Sequence, residues 1–129
     1  MSKFVATRNK GFAMTFDNNY TISVQWGTEN YCEKRKFASD DNPREERFWA
    51  SRTAEVAVFE DMSDEKTVGE RMIPIGEDDE VLGWLTANEV AKIIEIVSGY
   101  QGHTMTGMSG EDYIKKTIKS YNYFKVFTK

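Results

Sequence analysis

Phe12-Ala13-Met14-Thr15-Phe16 and Tyr20-Thr21-Ile22-Ser23-Val24-Gln25-Trp26, separated by Asp17-Asn18-Asn19, decide the fold class. Both runs alternate apolar with small or polar residues, the two-residue period of a strand with one buried face. Phe12, Met14 and Phe16 share a face of the first run, and Tyr20, Ile22, Val24 and Trp26 share a face of the second. Asn and Asp tolerate the positive φ of a tight turn, so the residues between predict a β-hairpin.

Outward from the hairpin the signals are mixed. Residues 27–51 are polar and charged and read mainly as a long loop, with a short helix at Pro43-Arg44-Glu45-Glu46-Arg47-Phe48-Trp49. Thr53-Ala54-Glu55-Val56-Ala57-Val58-Phe59 returns to strand chemistry, and an acidic loop follows from Glu60 to Glu65. A strand near Arg71-Met72-Ile73-Pro74-Ile75 belongs at an edge, because Pro74 has no N–H for a ladder. Val81-Leu82-Gly83-Trp84-Leu85 reads as a short buried strand or a lead-in to a helix.

Thr86-Ala87-Asn88-Glu89 is a capping box, and Val90, Ile93, Ile94 and Val97 follow on one helical stripe until Gly99. That predicts a helix over 87–98. A second helix runs from Glu111 to about Ser120, capped by Ser109 or Gly110, acidic at its start and Lys-rich at its end. Tyr123-Phe124-Lys125-Val126-Phe127 suits a closing edge strand. The expected fold is α+β: an antiparallel sheet of four to six strands, one main helix packed on a face, and a C-terminal helix. One domain spans 1–129, with residues 99–129 left open as a C-terminal extension.

Composition sets the outer bounds. The 129 residues are 40% hydrophobic and 13% aromatic, enough for a packed core, which argues against wholesale disorder. No apolar run approaches the ~20 residues of a membrane span, and Met1-Ser2-Lys3 opens on no signal-peptide core. With one Cys and one His, neither an intrachain disulfide nor a Cys/His zinc site is expected. These features point to a cytoplasmic protein without membrane, metal or cofactor.

Net charge is −4, but it is segregated: residues 53–112 hold fourteen acidic against three basic side chains, whereas 113–129 hold five Lys and no acid. A sequence pI near 5.1 makes nucleic acid an unfavoured partner.

The candidate sites differ in strength. No glycine-rich phosphate loop is present, and carboxylate pairs such as Asp78-Asp79 read as solvated loop residues. Cys32 lies beside Lys34 and Arg35, which favours a thiolate, but its only base would be the distant His103; a buried structural Cys is the simpler reading. The Lys-aromatic interleaving of residues 113–125 reads as an amphipathic helix with a solvated face, with a basic stacking surface as the alternative.

Residues 27–35 are more informative. Leaving a firm strand at Trp26, they offer Asn30, Tyr31 and Arg35: an amide, a ring and a guanidinium. Stacking plus amide and guanidinium hydrogen bonds is what holding a base and a phosphate requires. Trp26, Asn30, Tyr31 and Arg35 are therefore the candidate ligand-binding residues, and no catalytic residue is assigned. The competing reading is a loop anchored by Trp26 and Tyr31, with solvated charges beyond.

Lys10-Gly11-Phe12-Ala13-Met14-Thr15-Phe16 through Val24-Gln25-Trp26-Gly27, then Asn30-Tyr31-Cys32-Glu33, resembles the opening of small proteins of tailed bacteriophages and prophages. Ala54 to Val58 and Val81 to Ala91 continue the resemblance, which covers most of residues 10–98. It implies a phage accessory protein, acting in host takeover or counter-defence in the host cytoplasm, and no catalytic residues. The expectation is a non-enzymatic binder of a small nucleotide-like ligand, such as a nucleotide immune signal. The alternative is an inhibitor of a host enzyme or defence protein, acting through the acidic 60–80 region with Asp78 and Asp79. Edge strands supply a route to a homo-oligomer.

Overall fold

A computed structural model describes residues 2–7, 10–37, 50–61, 69–76, 80–102 and 107–121. Its centre is the hairpin, β2 (Gly11–Thr15) and β3 (Tyr20–Gln25), which pairs Phe12 with Val24 and Met14 with Ile22. Asn19 takes the left-handed conformation at the turn (φ 72°). Asn18 does more than turn the chain: its Nδ2 donates to Val97 O at 2.8 Å and Tyr100 O at 3.0 Å, satisfying carbonyls at the end of the main helix.

Around the hairpin the sheet is antiparallel. β4 (Ala54–Asp61) pairs with β3 on one side. On its other side β4 takes β5 (Glu70–Ile73) along Val58–Asp61 and β6 (Leu82–Leu85) along Ala54–Val56. Among the described residues β5 pairs only with β4, the edge position expected from Pro74. The first strand, β1 (Lys3–Ala6), was not foreseen from the sequence; it pairs with β2 and closes the order β1-β2-β3-β4-β5. Four residues with no clear alternation carry too little periodic signal to read in isolation.

β6 contains one extra residue relative to β4, a bulge that lets both Leu82 and Leu85 face the core and turns Trp84 outward at φ 57°. The segment after β3 also holds more order than a loop: Glu33–Phe37 forms a 3-10 turn.

Helix α1 (Ala87–Ser98) starts as the sequence predicts. Thr86 Oγ1 accepts from the Glu89 N–H, and Glu89 Oε1 accepts from the Thr86 N–H. It buries Val90, Ile93, Ile96 and Val97 against β3 and β4. Helix α2 (Gly110–Lys119) is capped by Ser109 and sends Ile114 and Ile118 into the same core as Ile22, Val56, Val58 and Leu82. The expected α+β arrangement therefore holds, with six strands and two helices among the described residues. No helix among them is long and apolar enough to cross a membrane. The expected helix at 43–49, the strand at 123–127, Asp78, Asp79 and His103 lie outside the described residues.

Candidate functional site

The helices do not cover the inner face of the sheet evenly. Over the Tyr20 end, the rings of Tyr100 and Tyr113 fill the space: Tyr100 stands edge-on to Tyr20 at 5.7 Å and lies 5.4 Å from Tyr113. Tyr20 Oη donates to Glu60 Oε2 at 2.5 Å, and Arg71 bridges Glu60 (3.6 Å) to Glu111 of α2 (2.5 Å). Burial, reinforced by the Glu60 carboxylate, pushes the Tyr20 phenol well above the usual tyrosine range.

At the opposite end, where β3 leaves the sheet and β4 enters, the described residues leave space over the sheet. A cleft of about 410 Å³ lies between Phe12, Val24, Trp26 and Ala54 on the sheet side and Ala87, Val90, Ala91 and Ile94 of α1. Leu85 and residues 50–53 complete its lining. The Phe12 and Trp26 rings meet edge to face at 6.2 Å, giving it one aromatic wall. Its polar contributions come from Ser51, Arg52 and Thr53, and Arg52 is exposed.

The structure divides the four candidates. Trp26 lines the cleft, whereas Asn30, Tyr31 and Arg35 do not. The Asn30 amide holds the loop: its Oδ1 accepts from Gly27 N–H at 2.8 Å and its Nδ2 donates to Glu55 Oε1 at 3.1 Å. Glu55 Oε2 accepts from the Tyr31 N–H at 3.0 Å, so one carboxylate on β4 pins two loop residues. Tyr31 is 38% exposed, and the Arg35 guanidinium sits 4.6 Å from its ring centroid while donating to Glu29 O. The loop meets β6 closely: Trp84 N–H donates to Tyr31 O at 2.8 Å, and a Cβ on Gly83 would fall 2.5 Å from that of Tyr31.

The loop also braces the mouth of the cleft. Glu33 N–H donates to Thr53 Oγ1 at 2.9 Å, and Arg52 N–H donates to Glu33 Oε1 at 2.8 Å. Arg52, Phe12 and the α1 residues of the cleft were missed by sequence reasoning. Phe12 and Trp26 were both visible as inward-facing hairpin residues, but nothing local says that a cavity would lie above them. Cys32 is fully buried, its thiol donates to Gly27 O at 3.4 Å, and burial pushes its pKa up, all of which favour the structural reading over a nucleophile.

No protein-family model matches the chain, no curated protein matches it, and no solved structure matches it.

Proposed function

We propose that the protein binds, without turning over, a small anionic ligand carrying a planar ring, of the nucleotide class. The open cleft carries this reading. Its volume of about 410 Å³ falls in the range of small-molecule sites, roughly 300–1,000 Å³. A base or comparable ring gains apolar contact and stacking against Trp26 and Phe12, and the Arg52 guanidinium at the rim suits a phosphate. Ser51 and Thr53 add hydroxyls for the ring's polar edge. A lining made mostly of Val, Ala, Leu and Ile suits retention of a ring better than proton transfer.

The resemblance of residues 10–98 to small phage and prophage proteins supplies the biological side of the proposal. A phage accessory protein in the host cytoplasm that sequesters a nucleotide signal needs tight binding and no chemistry. In this reading Trp26 stacks, Arg52 neutralises, and Asn30 keeps the loop that carries Tyr31 and Arg35 folded beside the mouth.

The test is thermal unfolding of the purified protein with linear and cyclic nucleotides. A ligand present at a hundred times its dissociation constant adds about 2.7 kcal/mol of stability. A selective shift with one nucleotide, lost in Trp26→Ala and Arg52→Ala, is expected. No shift across the panel, or a shift that survives both substitutions, overturns it.

A further inference from the structure

The apolar core does not stop where the helices stop. Reading the registers across five strands, Ile73, Val58, Ile22, Met14 and Phe4 form one row on the inner face. Ile73, Val58 and Ile22 are buried and Met14 is half-buried, but Phe4 is 79% exposed at the sheet edge. Every residue of β1 is exposed, and Val5, on the other face, is 44% exposed. An edge strand usually carries a proline, an inward charge or a covering element against pairing with other chains. β1 has no proline, and its one charge, Lys3, lies on the face opposite Phe4.

The backbone of β1 is as open as its side chains. Thr7 N–H donates to Gly11 O at 3.0 Å, so Thr7, Val5 and Lys3 turn their peptide groups toward β2. By the alternation of an antiparallel ladder, Phe4 and Ala6 turn theirs outward, and so does Ser2 where the strand continues.

We infer that β1 is a self-association edge, on which a second copy of this chain adds its own β1 antiparallel about a two-fold axis through Phe4. In that register Phe4 faces Phe4 of the second copy and Ala6 faces Ser2, and every outward peptide group finds a partner. The Phe4-centred register also continues the apolar row through the seam into the second copy, and it sets each Lys3 opposite a Val5, well away from the other Lys3. A second copy suits this edge because its own strand supplies both the apolar residue for that row and the matching alternation of donors and acceptors. The seam is short: four residues bury less than the ~800 Å² per partner of a standard stable interface. The association is therefore weak and depends on concentration.

Sedimentation velocity of the full chain from about 10 to about 300 µM tests this, with the dimer fraction expected to rise across the range. Phe4→Lys should remain monomeric throughout with an unchanged melting temperature, since the side chain it replaces is largely in water. Phe4→Cys reports the register: opposed hydrogen-bonded residues sit roughly 5.5 Å apart at Cα, inside the disulfide range, so air oxidation should link two copies. Ala6→Cys, opposite Ser2, should not link, and buried Cys32 gives no background. A chain monomeric at every concentration overturns the inference, as does a dimer that survives Phe4→Lys or links through Ala6→Cys alone.

Discussion

The two ends of one sheet face were finished in opposite ways. At the Tyr20 end, three tyrosine rings, the Glu60–Arg71–Glu111 bridge and the first turn of α2 close the space so tightly that a Cβ on Gly110 would fall 1.8 Å from Tyr20 Oη. At the Trp26 end, α1 passes over the strands without filling the gap, and small residues (Ala54, Ala87, Ala91) line a cleft. Interiors are packed to crystal-like density, so an apolar cleft of this size beside a closed end is the feature on which the proposed ligand site rests. On the proposed reading, dense packing finishes one end and the ligand site occupies the other.

The largest expected effect lies at the closed end. Gly110→Ala drives a methyl group into the Tyr20 ring and should cost about 1–3 kcal/mol, seen as a lower urea midpoint, while any nucleotide shift persists. Asn30→Ala comes next. It strips the buried Gly27 of its N–H acceptor and Glu55 of one donor, for about 1–3 kcal/mol, again without loss of ligand response. If Asn30→Ala instead keeps its stability and loses ligand, the amide belongs to the site and the division between the two ends fails.

Trp26→Ala should show the reverse pattern, with the ligand-induced shift abolished and a smaller loss of stability than Gly110→Ala. Alkaline pH then probes the closed end alone. Tyr20 holds its proton in the folded chain above its ordinary value of 10.0, so its contribution is full below that pH and is lost as pH rises beyond it. A melting-temperature series above pH 9 should fall less steeply in Tyr20→Phe. The smallest effect belongs to Trp84→Gly. Relief of a left-handed tryptophan, about 1–2 kcal/mol, is set against lost indole contacts and a freer unfolded chain, leaving a net change under about 1 kcal/mol.

Much of this architecture is legible in the sequence, and the boundary of legibility has a physical cause. The alternation of Phe12–Phe16 and Tyr20–Trp26 and the capping box at Thr86 are signals carried by neighbours in the chain, and both features formed where expected. β1 lacks such a signal; it is a strand because β2 offers it a ladder. Of the four candidate ligand residues, all chosen for their chemistry, only Trp26 reaches the cleft. The Asn30 amide is engaged by Gly27 and by Glu55, twenty-five residues away, a use that no local pattern reveals.

The sequence by itself determined the hairpin, the capped helix, the α+β class and the identity of Trp26 as an inward-facing ring, because periods of two and 3.6 residues and helix caps act over a few residues. Only the tertiary structure decided which end of the sheet is closed, that Arg52 stands at the mouth of the other, and that the row through Ile22 runs out to a bare Phe4. Those outcomes depend on how residues distant in the chain share one surface.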